Sequence, residues 1–253
     1  MVPEDGRMTS TTQTTAQPTV ILVPGYWLGA WAWQDVAKDL AVRGVRCLPL
    51  TLPGLDPDDP QRATRTLADQ ADAIQAAIEG THGEIILVAH SGANGPVSLV
   101  LDRIPTAVLR VIWVDSGPVP DGGAFAPELP EQVTELPLPD FESLAQQASL
   151  EGLSPDQLDR FRALAVAEPG SVARAAVHLI NDARLRVPTS LVCCSLSSAQ
   201  AKDLAAAGHP MFAEVIRLAD VSFVDLPTGH WPMWSRSEEL AAVIEQEASR
   251  THS

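Results

Sequence analysis

The sequence has few cysteines and few basic residues, and each shortage excludes a class of protein. Its three cysteines, Cys47, Cys193 and Cys194, form neither a CxxC pair nor a metal-ligand spacing, so we predict small core residues and no metal site. Lysine and arginine number 17 against 32 aspartates and glutamates, which gives a net charge of -15. Because no basic cluster could follow a phosphate backbone, we expect no nucleic-acid partner.

Long apolar runs are also missing from the sequence. No run approaches the roughly 18 to 20 residues that a helix needs to cross a bilayer, so we expect no membrane association. Residues 1–18 are rich in threonine, glutamine and serine and contain no apolar stretch. This composition excludes a signal peptide and is typical of a disordered tail. The sequence therefore predicts a cytoplasmic protein.

The remaining residues alternate between short apolar runs and amphipathic segments. The runs, which indicate strands, are Thr19–Val23, Val45–Leu50, Glu84–Ala89, Leu109–Val114, Ser190–Cys194 and Val221–Leu226. The amphipathic segments, which indicate helices, are Trp33–Arg43, Thr66–Glu79, Asn94–Arg103 and Ser235–Glu247. Strands that alternate with helices predict an α/β fold with a mostly parallel sheet flanked by helices.

One interval, residues 117–187, breaks this alternation. It opens with many prolines and glycines and then shows helical patterns over Phe141–Leu150, Pro155–Ala167 and Ser171–Asn181. We therefore predict that residues 117–187 form a helical cap inserted between two strands. The core would comprise residues 19–116 and 188–253.

The candidate nucleophile is Ser91, which follows a buried strand and precedes a helix. A nucleophile elbow is a tight strand-to-helix turn that needs small residues two positions before and after the serine, here Ala89 and Ala93. Ser91 lies at the carboxyl end of a strand, and open α/β sheets carry their ligand-binding and active sites at those ends. The competing interpretation is a serine that caps the next helix.

A serine hydroxyl needs a neighbouring base, and His230 is the best of the six histidines. It follows the last apolar strand in a loop that can return over Ser91. His90 adjoins the nucleophile, and we interpret it as a packing residue. The other four histidines are expected to be structural or exposed: His82, His178, His209 and His252.

Ester hydrolysis also needs two donors for the oxyanion. Gly92 offers its backbone N–H, and Tyr26 offers a second in the loop after the first strand, where Gly25 permits a tight bend. Trp27 and Trp231 are candidate walls of a mainly apolar pocket. Trp27 is equally well explained as a core aromatic.

The motifs VPGYW at 23–27, AHSGA at 89–93 and GHW at 229–231 resemble those of the α/β-hydrolase superfamily, over nearly the whole chain from about Pro18. The resemblance implies a Ser-acid-His triad in that chain order, a cap over the pocket and no cofactor. One departure is Pro24, which replaces the histidine that is common before the oxyanion glycine.

The triad acid departs from the usual place. Most members of the superfamily carry it just after the strand that follows the cap, but here no acid occurs after Cys194 until Asp203. Asp115 ends the strand beside that of Ser91, and this placement resembles that of the haloalkane dehalogenases. We therefore assign Asp115 as the acid. Asp203 and a turn-capping role for Asp115 remain alternatives, and Asp225 is interpreted as structural.

Three functions are compatible with these residues. The leading hypothesis is a serine hydrolase that cleaves an ester, thioester or lactone of a small to medium, mainly apolar molecule through an acyl-enzyme on Ser91. The second is a lyase or cyclase, similar in motif to the plant hydroxynitrile lyases, in which Ser91 and His230 move protons. The third is a non-catalytic binding protein. The expected partner is a small-molecule substrate, and a homodimer stays open.

Overall fold

The computed structural model describes residues 17–250 and contains a six-stranded parallel sheet flanked by helices. Its strands are β1 Thr19–Val23, β2 Cys47–Pro49, β3 Ile85–His90, β4 Arg110–Val114, β7 Thr189–Cys193 and β8 Val221–Asp225, and a separate antiparallel pair consists of β5 Glu135–Leu136 and β6 Glu168–Pro169. The order across the large sheet is β2-β1-β3-β4-β7-β8. This architecture confirms the predicted fold class, and the predicted tail lies almost wholly outside the described residues.

The helices are α1 Gln34–Val42, α2 Leu67–Glu79, α3 Asn94–Arg103, α4 Phe141–Ala145, α5 Pro155–Leu164, α6 Gly170–Arg174, α7 Ser198–Ala206, α8 Pro232–Ser235 and α9 Ser237–Ser249. Four of them, α1, α2, α3 and α9, match the predicted amphipathic segments to within two residues. The side chain of Thr66 caps α2 by accepting from the Asp69 N–H, and the Asp69 carboxylate accepts from the Thr66 N–H. This pair of bonds explains the sharp start of the helix. Among residues 17–250, no helix is long and apolar enough to span a bilayer.

The segment between β4 and β7 contains three short helices and the pair β5–β6. The predicted helix over 171–181 ends at Arg174, so its second half is not helical. There the chain exchanges backbone hydrogen bonds with the loop at 122–126, including Val177 N–H to Gly123 O at 2.9 Å. These bonds replace the helical ones. The assignment of residues 117–187 as a separate cap stays a prediction.

The central strands bring their carboxyl ends to one level. Every residue of β1, β3 and β4 is buried. In the parallel register of β3 with β4, His90 lies opposite Val114. The next residue of each strand, Ser91 and Asp115, therefore leaves the sheet at the same edge and side by side. Parallel strands thus place two of the predicted site residues before any loop is considered.

The buried sheet predicts a large difference between two isoleucines. Ile112 in β4 is 0% exposed, whereas Ile180 is 93% exposed. We expect Ile112→Ala to lower the free energy of unfolding by about 2 to 5 kcal/mol, because it removes buried methyl groups and leaves a cavity. Ile180→Ala is the matched control and is expected to change it by less than about 0.5 kcal/mol. Urea unfolding of both variants tests this, and equal losses would contradict the buried position of Ile112.

Candidate active site

Ser91 stands on a sharp turn between β3 and α3. Its φ is 51°, a left-handed conformation that non-glycine residues rarely adopt. The turn has room for no larger neighbour: a Cβ atom added to Gly25 would lie 2.8 Å from Ser91 Cβ. From the loop after β4, the Ser116 hydroxyl donates to the Ser91 carbonyl at 2.8 Å. The predicted elbow is therefore a strained turn that neighbouring loops hold in place.

His230 lies between Ser91 and Asp115. Its Nε2 is 2.7 Å from Ser91 Oγ, and its Nδ1 is 2.6 Å from Asp115 Oδ2. The structure thus brings the three residues predicted from sequence into one hydrogen-bonded chain. In this chain the carboxylate fixes the imidazole tautomer, so that Nε2 faces the serine hydroxyl.

Three backbone contacts fix the loop that carries His230. The His230 N–H donates to Ser149 O at 2.7 Å, and the Gly229 N–H donates to Glu151 O at 3.1 Å. On the other side, His90 Nε2–H donates to the His230 carbonyl at 2.7 Å. The imidazole is therefore positioned from both the sheet and the segment between β4 and β7.

The chain directly after β7 carries hydrogen-bond donors to Asp115 and no acid of its own. Where relatives usually carry the carboxylate, this chain has Cys194 and Ser195, whose N–H groups donate to Asp115 Oδ1 at 3.1 and 2.9 Å. The Ser195 hydroxyl donates to Asp115 Oδ2 at 2.6 Å. Burial by itself would raise the pKa of Asp115, but hydrogen bonds from His230 and Ser195 outweigh it and hold the pKa below its usual value.

The alternative acids lie elsewhere. Asp203 is exposed on α7. Asp225 accepts from the Ser198 N–H at 2.6 Å and from its hydroxyl at 2.7 Å, at the start of α7. Neither carboxylate is bonded to His230 among the described residues, so the geometry favours Asp115.

Backbone strain is concentrated at this site. Within residues 17–250, three non-glycine residues have positive φ: Trp27 at 66°, Ser91 at 51° and Asp115 at 45°. Ser91 and Asp115 directly follow β3 and β4, and Trp27 lies in the loop after β1. Such conformations persist when the surroundings determine them, and they cluster at functional sites.

The two residues predicted to supply the oxyanion donors, Tyr26 and Gly92, are in contact. A Cβ atom added to Gly92 would be 2.5 Å from Tyr26 Cδ1, so the tyrosine ring lies directly against this glycine. Neither the Tyr26 N–H nor the Gly92 N–H donates to an acceptor in the described part of the chain. Both donors are therefore available to a ligand.

Aromatic side chains surround the three residues. The Trp231 ring meets the His230 ring edge-on at 4.9 Å, and the Tyr26 ring meets Phe125 edge-on at 4.7 Å. Trp27 is 7% exposed and Trp231 is 2% exposed, so most of each indole is packed against protein. Phe125 is 56% exposed and was not singled out from the sequence. Substrate contact by Trp27 and Trp231 stays a prediction.

Two supporting residues were not recognised from the sequence. His90 is fully buried, and burial together with the nearby His230 lowers its pKa to about 3, so it is neutral at physiological pH. Ser195 supplies the donors that accompany Asp115. A serine at the end of a strand is too common a feature to signal this role. Within residues 17–250, no cluster of His, Cys, Asp and Glu could hold a metal ion.

The comparisons with known proteins agree with this architecture. The model of the alpha/beta hydrolase family matches residues 20–243, and the chain belongs to this family. A protein named probable hydrolase R7, from Phoma sp., is 26% identical over 92% of this chain and 98% of its own length. The family confirms the superfamily that the motifs predicted, and both findings support a hydrolase-type function.

Solved structures show the same fold. An extracellular alpha/beta-hydrolase from a Paenibacillus species, described as a structural and functional homologue of tobacco salicylic acid binding protein 2, is 18% identical, with a TM-score of 0.73 over 90% of this chain and 98% of its own. A methylesterase from Arabidopsis is 15% identical, with a TM-score of 0.72 over 92% of this chain and 99% of its own. At these identities the likeness establishes the fold alone.

The contact between Gly92 and Tyr26 predicts a difference between two glycines. Gly92→Ala would place a methyl group against the tyrosine ring, and we expect a loss of about 1 to 3 kcal/mol in the free energy of unfolding because the ring must shift. Gly95→Ala, inside α3, would meet its nearest neighbour at an ordinary 3.4 Å. That control is expected to be neutral or stabilising, since alanine favours a helix. Chemical unfolding of both variants tests the packing, and a harmless Gly92→Ala would contradict it.

Proposed function

We propose that the chain is a serine hydrolase that cleaves carboxylic esters, thioesters or lactones through an acyl-enzyme on Ser91. The observation that carries the proposal is the continuous hydrogen-bonded chain from Ser91 Oγ through His230 to Asp115, with distances of 2.7 and 2.6 Å. Two unengaged backbone donors next to the serine support it, since acyl transfer needs a place for the oxyanion.

The reaction proceeds in two halves. His230 Nε2 takes the proton from Ser91 Oγ as the oxygen attacks the carbonyl carbon, and the N–H groups of Tyr26 and Gly92 donate to the oxyanion. The imidazolium then gives its proton to the leaving oxygen or sulfur, and the acyl-enzyme remains. Water, deprotonated by His230, attacks the acyl carbon and releases the acid and Ser91. Asp115 stabilises the imidazolium in both halves.

The proposed substrate is small to medium, uncharged and mainly apolar. The aromatic surroundings support this, above all the exposed ring of Phe125 against Tyr26, because apolar walls favour apolar ligands. The net charge of -15 also disfavours anionic substrates. A methylesterase and a probable hydrolase among the similar proteins are in keeping with ester cleavage.

The first test uses Ser91→Ala with Ser143→Ala, an exposed serine, as its control. On nitrophenyl esters of increasing acyl length, we expect Ser91→Ala to lower kcat by about a million-fold and Ser143→Ala to leave it unchanged. A fluorophosphonate should add to Ser91 in wild type, as mass spectrometry of peptides would show.

Two outcomes would contradict the proposal. Equal hydrolysis by wild type and Ser91→Ala would exclude Ser91 as the nucleophile. Turnover of a substrate with no acyl group trapped on Ser91 would favour the lyase or cyclase chemistry, in which Ser91 and His230 only transfer protons.

The second test compares two aspartates. We expect Asp115→Asn to lower kcat by about ten-thousand-fold, because an amide favours the wrong tautomer of His230. Asp203→Asn, on the exposed face of α7, is expected to retain activity within about twofold. Ester kinetics on both variants decide the assignment. An active Asp115→Asn together with an inactive Asp203→Asn would show that Asp203 is the acid.

A further inference from the structure

A buried acid, Glu168 in β6, faces the loop that contains Tyr26 and Trp27. It is 0% exposed, and its Oε1 accepts from Gln70 Nε2 at 2.9 Å. Its Oε2 has no partner among the described residues. The backbone N–H of Trp27 lies close enough to lower the pKa of this acid. A carboxyl group without a cation is costly to bury, so its position here calls for an explanation.

The pair β5–β6 and the residue two positions before β6 hold Trp27 by two hydrogen bonds. The Trp27 carbonyl accepts from the Val166 N–H at 3.0 Å, and its indole N–H donates to Leu136 O at 3.0 Å. Leu136 and Glu168 lie opposite each other in the register of the pair. Trp27 has positive φ, and these two bonds maintain it in that strained conformation.

Trp27 directly follows Tyr26, so fixing Trp27 restricts the backbone of the residue before it. We propose that Glu168 is a positioning residue for the oxyanion hole: through its buried bond to Gln70 of α2 it fixes the pair β5–β6, which holds the loop in the conformation that presents the Tyr26 N–H to the reacting carbonyl. This inference rests on the function proposed above, because that function assigns the oxyanion to Tyr26 and Gly92.

The charge of Glu168 matters at this place. Burial raises its pKa from an ordinary 4.5 to about 8, and the bonds from Gln70 and Trp27 only partly oppose the rise. At lower pH the group is therefore neutral. Its charge is felt at the loop, since it helps burial to raise the pKa of Tyr26. As the pH rises through about 8, a buried carboxylate forms near this loop, and its negative charge disfavours a developing oxyanion.

The other charged groups on the elements packed against Glu168 have partners of their own. These groups are Arg62, Arg65, Asp69, Asp72, Glu79, Glu135 and Arg174. Arg62 pairs with Glu135, and Arg65 pairs with Asp59. Asp72 pairs with Arg103, and Glu79 accepts from the Gln75 side chain. Asp69 is bound at the start of α2, and Arg174 donates to backbone carbonyls at 129, 130 and 133. Burial is therefore the main influence on the pKa of Glu168.

The test measures how fast a nitrophenyl alkylphosphonate reacts with Ser91, between about pH 6 and pH 10. Ser91 attacks the phosphorus and nitrophenolate leaves, while the P=O oxygen gains negative charge as an ester carbonyl oxygen does. The rate therefore reports on the oxyanion hole without ester turnover. We expect Glu168→Ala to lower this rate at neutral pH by about tenfold or more and Glu168→Gln to stay within about threefold of wild type. The matched control is Glu135→Gln, on the partner strand β5, which should match wild type.

The pH profile separates positioning from a purely structural role. The wild-type rate should fall as the pH rises through about 8, and Glu168→Gln, which cannot ionise, should lack this fall. Folding gives an independent readout. Because the folded chain favours the neutral acid, wild type loses stability as the pH rises from 4.5 to about 8, and Glu168→Gln should not.

The outcomes are distinguishable. If Glu168→Ala reacts as fast as Glu135→Gln, or if Glu168→Gln keeps the alkaline fall, the role of Glu168 is wrong while Ser91 remains a reactive nucleophile. If wild-type Ser91 does not react at all, the proposed function fails and the inference falls with it. Should Glu168→Ala fail to fold, the profile of Glu168→Gln decides the matter.

Discussion

The hydrogen bond between Asp115 and His230, at 2.6 Å, is the interaction on which the rest of the site depends. It joins the end of β4 to the loop after β8, which lie on different strands of the sheet. Without it the imidazole would have no preferred tautomer, and the proposed base would not be held with Nε2 toward Ser91. The surrounding hydrogen bonds support this contact. The N–H groups of Cys194 and Ser195 donate to the carboxylate, and the His90 side chain donates to the His230 carbonyl.

Moving the acid from the end of β7 to the end of β4 changes what each strand end must supply. With the acid at the end of β4, the chain after β7 has to supply hydrogen-bond donors to that carboxylate. Ser195 supplies two, its N–H and its hydroxyl. A buried carboxylate that accepts several hydrogen bonds keeps its charge despite burial. The hydrogen bonds to Asp115 therefore account for the absence of an acid directly after Cys194.

The sequence predicted the fold well because apolar runs and amphipathic segments report directly on a parallel sheet. It placed Ser91, His230 and Asp115 because each follows a strand, and strand ends share one edge. It did not reveal Glu168 or Ser195, whose importance arises from contacts between residues far apart in the chain. It also overestimated the helix after Ser171, because backbone bonds to the loop at 122–126 compete with helical ones. Local periodicity carries no information about such competition.

The segment between β4 and β7 is hydrogen-bonded both to the loop that carries the proposed base, His230, and to the loop of the proposed oxyanion donor, Tyr26. Carbonyls of Ser149 and Glu151 hold the loop of His230, and residues 136 and 166 hold Trp27. This segment is thus part of the frame that sets the geometry of the proposed attack. Exchanging it for that of a relative in order to change substrate range would therefore disturb the base and the oxyanion donors together, unless these anchoring contacts were transplanted with it.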